Sequence, residues 1–354
     1  MRPPVVLREY ETSLHRLDPT EARELAAVAG PHLRVGVGPT PEEWYLTAAG
    51  VVGTIVTPGV RVLIRPKIPL RNLFLLLDVG LRPEDWHDAH FSFGTSPDLL
   101  AAVAAFFVRE AGRALARGPR RDYRATEERL VALRGRIDIA AQLRHPGVAS
   151  PIACRYDEYS VDVAENVALR AATRRLLRVG GVLPDTRRHL ERLLAGLIDV
   201  SDLEPRPEAV DAIPINRLNR HYVPALRLAS LVLRHASLVD QAGDTPASAF
   251  LMSTPLLFQR WVTNRLRRAL VRQLDVEAEP RVDLDVAGRV RMEPDLVFRR
   301  QRRAVYVGDI KYKLSSGLGR TGDYYQLLAY ATSLGLARVC SSTARTTSRL
   351  PIRR

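Results

Sequence analysis

The chain has 354 residues, is 46% hydrophobic and carries a formal net charge of +14 at pH 7, with a pI near 10.4. That is enough apolar chain for two or three packed domains, and the charge favours a polyanionic partner, nucleic acid before membrane. Two cysteines exclude a disulfide framework or a cysteine zinc site, and apolar runs such as Leu73–Leu77 and Leu99–Val108 are too short to span a bilayer.

The N-terminus lacks a secretory apolar region, so a cytoplasmic location is expected. Residues 1–95 read as mostly β, with short runs Val5–Leu7, Leu33–Val37, Trp44–Ala48, Gly50–Thr57 and Val60–Pro66 punctuated by Gly and Pro. Tyr45–Ile68 has the look of a hairpin. Lys67 at its end is either a solvated strand-end lysine or part of a functional phrase.

Residues 96–250 read as mainly helical. Ser96-Pro97 is placed to open a helix, with Leu99, Leu100, Val103, Phe106 and Phe107 on its core face. Arg109–Arg124 is a basic stretch, suited either to phosphate or to a solvated face. Asp157 and Glu158 precede a helix expected to start near Asp162 and would favour its N-terminus. Asn166 is suited to fixing a junction by bonding backbone. Helical spacing covers Pro184–Ile198 and Val223–Val239, with a linker over Pro205–Pro214. Asn216, Asn219, Arg220, His221 and Tyr222 suit either DNA backbone contact or a helix entry. His145 and Gln241–Ser248 read as loop.

Residues 251–354 carry the chemistry. Thr254-Pro255 is expected to cap a helix with a Phe258, Val262, Leu266, Leu270 stripe and arginines at 260, 265, 267, 268 and 272 on its other faces. Two strand-like runs follow, Met292–Phe298 and Ala304–Lys311, joined by a Gln/Arg turn. Pairing of the two would bring Asp295 beside Asp309. Alternation places Val305, Val307, Asp309 and Lys311 on one face. Two carboxylates can hold a hard cation that keeps several waters. The adjacent lysine can position a nucleophile or neutralise charge on a phosphate. The blander alternative is a surface Asp/Lys cross-strand pair, worth a few tenths of a kcal/mol. Composition favours the site: Lys67, Lys311 and Lys313 are the lysines among 53 basic residues. A compact ammonium has been kept here in a chain that otherwise writes its cations as arginine. Gln326 and Tyr330, four apart, share a face of an Asp323–Leu334 helix. After Ala337 the chain turns polar and basic without alternation. A frameshift or early stop is one cause of such a tail, and an uncovered sheet edge its expected consequence.

The ordered set Pro294-Asp295, Asp309-Ile310-Lys311 and Gln326-x-x-x-Tyr330 resembles the PD-(D/E)XK nuclease superfamily, and more closely the McrC family, the nuclease subunit of McrBC-type restriction systems. The phrases GVVGTIVTPGVRVLIRPKI, LRGRIDIAAQLRHP and YDEYSVDVAENVALRAATRRLL are similar to that family. The resemblance implies an α+β multidomain chain. Its parts would be a β-rich partner-docking domain (1–95), a helical middle (96–250) and a PD-(D/E)XK-like α/β nuclease core (251–354) with an atypical tail. It implies Mg2+, or Mn2+, held by Asp295 and Asp309, with Lys311 as catalytic lysine and Gln326 and Tyr330 in support. The implied partners are DNA and an McrB-like AAA+ GTPase. No G-x-x-x-x-G-K-[ST] loop is present, so GTP would act through that partner. Gln259 stands where such nucleases commonly carry a glutamate. This departure and the polar tail favour one rival, a weak or non-cutting subunit that docks on and stimulates its partner; a stand-alone DNA-repair nuclease is a third reading.

Overall fold

A computed structural model describes residues 3–68, 70–77, 98–144, 150–239, 247–284, 289–312, 321–336 and 339–343. The first stretch holds β1 (Val5–Arg8), β2 (Thr12–Arg16), α1 (Pro19–Ala29), β3 (Leu33–Val37), β4 (Glu43–Ala48), β5 (Val51–Val56), β6 (Arg61–Arg65) and α2 (Leu70–Leu77). The second holds α3 (Leu99–Ala114), β7 (Asp122–Leu130), β8 (Arg136–Ile137), α4 (Ile139–Leu143), β9 (Ile152–Ser160), α5 (Ala164–Arg178), α6 (Pro184–Ala195), α7 (Pro207–Asp211), α8 (Val223–His235), β10 (Ala236–Val239) and β11 (Ala247–Ser253). The third holds α9 (Thr254–Leu270), β12 (Asp275–Ala278), β13 (Val282–Asp283), β14 (Arg291–Met292), β15 (Leu296–Arg300), β16 (Arg303–Lys311), α10 (Thr321–Ser333) and β17 (Val339–Thr343). The mixture of small sheets and helices is an α+β arrangement. No helix among the described residues is long and apolar enough to cross a membrane.

The largest sheet runs β1-β6-β5-β11-β10, so two strands from residues 236–253 complete a sheet begun at residue 5. Alternation along β11 explains its place. Ala247 and Ala249, with Leu251 packed against them, face the core under α1, whereas Phe250 and Met252 face the helical core of α3, α5 and α8. Gly53 on β5 permits the close pairing, since a Cβ there would lie 1.8 Å from the Phe250 carbonyl oxygen. The divisions read at 95 and 250 are therefore crossed by one sheet. Of the segment read as loop, Ala247 and Ser248 begin β11, and 241–246 lie outside the described residues.

Several local expectations change. Asp98 caps α3 through its side chain to the Leu100 amide, rather than Ser96, which with Pro97 lies outside the described residues. Asp157 and Glu158 belong to β9, paired with Ala125 and Arg124 of β7; the helix expected near Asp162 begins at Ala164 as α5, and Glu165 is the acidic residue of its first turn. The helix read to Val239 ends at His235 and continues as β10, and the Pro205–Pro214 linker contains α7. Ser253 takes the N-cap position of α9 and Thr254 its first turn. His145 lies outside the described residues.

The C-terminal sheet runs β12-β15-β16-β17. The tail read as strandless supplies β17, which pairs in parallel with β16 from Val307↔Val339 to Lys311↔Thr343. Backbone hydrogen bonding to β16 makes this strand despite its polar sequence, and it covers the edge expected to be bare. Glu9 joins the two sheets. It is fully buried and accepts from Lys67 N at 2.7 Å, from Tyr312 Oη at 2.8 Å and from the Thr254 hydroxyl. Burial, then the Glu9 charge, pushes the Tyr312 phenol well above its ordinary pKa.

Candidate active site

β15 and β16 form the predicted hairpin. Arg300 faces Arg303 across a two-residue loop in which Gln301 and Arg302 both have positive φ, 48° and 69°. Two left-handed residues give the twist that a tight hairpin needs, at a backbone cost of about 1–3 kcal/mol each without glycine. Leu296 faces Gly308, and the carboxylate of Asp295, one residue before Leu296, accepts from the Ile310 amide at 2.6 Å. The hairpin thus brings Asp295 and Asp309 together. A register shift near Phe298/Arg299 alters the expected alternation: Val305 packs with the α9 cluster and Val307 with the α10 cluster. The extra residue of a bulge reverses the facing of what lies beyond it.

Asp309 is 2% exposed. Its Oδ1 lies 2.9 Å from Lys311 Nζ, and its buried Oδ2 has no hydrogen-bond partner. Lys311 Nζ also donates to Gln326 Oε1 at 3.2 Å, and Gln326 Nε2 donates to Tyr330 Oη at 2.6 Å. The i, i+4 spacing on α10 sets up this relay, which orients the ammonium. Burial raises the pKa of Asp295 above the ordinary carboxylate value. The Ile310 amide opposes the rise, the Asp309 charge adds to it, and Lys311 opposes it again. Gln259, on α9, donates its amide to Asp295 Oδ1 at 3.3 Å and to Glu279 Oε1 at 3.0 Å.

An unsatisfied buried carboxylate oxygen beside a second carboxylate suits a hard divalent cation, which takes oxygen ligands and leaves remaining positions to water and phosphate. Among the described residues, no three His, Cys, Asp or Glu side chains are already gathered around such a point. The other proposed contacts with nucleic acid fare differently. Asn219 and Tyr222 are buried: Asn219 Nδ2 donates to Glu165 Oε1 at 2.8 Å and Tyr222 Oη to Asn166 Oδ1 at 3.2 Å. These two form an internal polar network at a helix entry, whereas Asn216, Arg220 and His221 are exposed. Asn166 fixes the junction as expected, donating to the carbonyls of Arg120 and Val161. Arg109, Arg113, Arg120 and Arg124 are engaged with Glu110, Glu165, Asp122 and Asp162. The arginines of α9 remain exposed. Two residues escaped the sequence reading, Glu279 and Glu9. Neither stands in a motif, and only tertiary pairing shows what each touches.

The sequence profile of the McrBC 5-methylcytosine restriction system component family matches residues 46–340. The chain belongs to that family. No curated protein matches it. Among solved structures, a chain of the refined half-complex from the tetradecameric assembly of Thermococcus gammatolerans McrB AAA+ hexamers with bound McrC is similar. Identity is 18% and the TM-score 0.60, covering 99% of this chain and 89% of that one. A chain of the T. gammatolerans McrBC complex determined by cryo-EM gives 18% identity and a TM-score of 0.49, covering 76% and 88%. The family match over residues 46–340 takes in β5, β6, β10 and β11 of the large sheet and the hairpin that carries Asp295, Asp309 and Lys311. Membership of a restriction-system family replaces the reading as a stand-alone repair nuclease.

Proposed function

We propose that this chain is the nuclease subunit of its restriction system and cuts DNA by Mg2+-dependent phosphodiester hydrolysis within a PD-(D/E)XK-like core. The observation that carries this reading is the buried, unpartnered Oδ2 of Asp309 beside Asp295 and Lys311. Asp295 and Asp309 would hold the cation, which when bound lowers the pKa of water and offsets phosphate charge. Asp309 Oδ1 and Gln326 hold the Lys311 ammonium, ready to orient the attacking water or to neutralise the developing charge. Tyr330 fixes the Gln326 amide that points at the lysine. The exposed arginines of α9 and the net charge of +14 supply sequence-independent attraction for the DNA backbone.

The assembly named for the similar structure supports an AAA+ GTPase as the partner through which GTP acts. Docking falls to residues 1–95, where Leu14 and Tyr45 lie opposite each other and exposed on the β2-β4-β3 sheet. One observation favours the second reading, a non-cutting subunit that stimulates its partner: Gln259 brings no charge, and its amide covers Asp295 Oδ1. The test is cleavage of modified DNA with partner, GTP and Mg2+, run beside a GTPase assay on the same preparations. Loss of cutting by Asp295→Ala and Asp309→Ala with GTPase stimulation intact is expected. Undiminished cutting by Asp309→Ala overturns the site, and an inactive wild type that still stimulates GTPase selects the second reading.

A further inference from the structure

Gln259 lies between two carboxylates from different parts of the C-terminal sheet, and one NH2 group spans both, Glu279 Oε1 at 3.0 Å and Asp295 Oδ1 at 3.3 Å. Glu279 follows β12, and its position is fixed by backbone as well as side chain. Its N–H donates to the Asp295 carbonyl at 3.1 Å, and its φ is 50°, in the left-handed region. A glutamate there costs about 1–3 kcal/mol and persists where surrounding structure over-determines it. The Asp295 segment supplies that determination twice, through its carbonyl and, by way of Gln259, through its carboxylate.

We propose that Glu279 is a third carboxylate of the cation site, supplying from the end of β12 the charge that α9 lacks at Gln259. The inference rests on Asp295 and Asp309 being cation ligands. First, the buried Oδ2 of Asp309 is without a partner, so the site is built for something the protein does not itself provide. Second, Asp295, Asp309 and Glu279 against Lys311 leave a surplus of two negative charges, which one divalent ion neutralises. Third, the Gln259 amide nitrogen occupies lone pairs of both Asp295 and Glu279. A cation between them replaces one donor shared by two carboxylates with one acceptor of lone pairs from both. Turning the amide end for end presents Oε1 to the same ion, a neutral oxygen ligand of the kind hard cations accept. This bridge also explains why three carboxylates are not already gathered: Glu279 is held one amide away from Asp295.

The test is Mn2+ binding to the full chain, stripped of metal by a chelator, followed by titration calorimetry and by the Mn2+ electron paramagnetic resonance signal. Both readouts are independent of cleavage. Asp309→Asn should abolish tight binding. Glu279→Gln preserves an acceptor for the Gln259 amide and should keep the metal-free melting temperature, yet weaken Mn2+ affinity by about tenfold or more. Gln259→Glu should strengthen affinity. Wild-type affinity in Glu279→Gln, with binding lost in Asp309→Asn, would leave the two-carboxylate site standing and reduce Glu279 to a hydrogen-bond partner of Gln259. Undiminished binding in Asp309→Asn would instead remove the underlying site, and the inference with it.

Discussion

Replacing Asp309 by asparagine separates what the site costs the fold from what it does. Asp309 is buried, with Oδ1 on Lys311 at 2.9 Å and Oδ2 without a partner. A buried acceptor left unsatisfied costs about 1–3 kcal/mol, and more when charged. The Asp295 carboxylate beside it adds like-charge repulsion, which joins burial, the larger cause, in raising the pKa of Asp295. Asparagine keeps an acceptor for Lys311, turns the second oxygen into a donor and removes the repulsion. Without metal, Asp309→Asn should therefore be more stable than wild type by about 1–2 kcal/mol. At about 2.1 cal/mol/K of unfolding entropy per residue, the melting temperature of a 354-residue chain that unfolds as one unit should rise by about 1.3 °C for each kcal/mol. With divalent metal at about a hundred times Kd, the wild type gains about 2.7 kcal/mol by mass action and the order reverses. Melting curves in chelator and in saturating Mn2+, alongside cleavage, read both arms. A metal-free variant less stable than wild type would refute the reasoning, because Asp309 would then be a structural partner of Lys311.

Burial lowers the His235 pKa from 6.5 to about 4, with Nδ1 bonded to the Leu251 carbonyl oxygen at 3.0 Å. The folded value lies below the unfolded one, so stability is full above about pH 6.5 and falls by roughly 3 kcal/mol as pH drops towards 4; denaturant titrations of His235→Gln should show a shallower acid slope. Glu9→Ala strips the acceptor from three donors and should cost about 3 kcal/mol or more, against about 1 kcal/mol for Tyr312→Phe; equal small losses in denaturant melts would show that the buried link between the sheets carries little. Leu14→Glu or Tyr45→Glu should abolish co-purification with the AAA+ partner, whereas Tyr123→Glu on the exposed β7–β9 pair should not; the reverse pattern would move docking to that pair. Lys311→Arg should not restore cleavage lost in Lys311→Ala, since the planar guanidinium cannot replace a compact ammonium between Asp309 and Gln326; full activity of Lys311→Arg in the same assay would show that any cation serves.

What was legible in the sequence was local. Period-two alternation and a two-residue turn made the β15–β16 hairpin readable, and with it the meeting of Asp295 and Asp309. The i, i+4 spacing gave the Gln326–Tyr330 pair. What was not legible depends on partners far away in the chain. Ala247–Ser253 becomes a strand because β5, nearly two hundred residues earlier, has an open edge with Gly53 in the right place. Val339–Thr343 becomes one because β16 offers backbone groups, which a hydrophobicity pattern does not record. Asn219 and Tyr222 looked like a surface because they are polar, yet their side chains bond Glu165 and Asn166 inside the protein. Glu279 carried no signal at all, since its meaning lies in the Gln259 amide and in a left-handed backbone turn.

The use of cations ties composition to chemistry. Arginine's fixed fork suits it to holding two carboxylates, and this chain spends arginine that way: Arg120 on Asp122 and Glu165, Arg155 on Glu127 and Asp138, Arg234 on Glu208 and Asp211. Lys67 places its ammonium over the Tyr10 ring at 4.0 Å. Lys311 pairs with Asp309. A guanidinium there would fork across the carboxylate and satisfy both its oxygens, Oδ2 included. The lysine reaches Oδ1, and Oδ2 has no hydrogen-bond partner. In a chain that otherwise prefers arginine, choosing the cation that leaves a buried oxygen unsatisfied makes sense where that oxygen has another ligand to bind. The same choice keeps the positive charge compact and rotatable next to the position a phosphate would take.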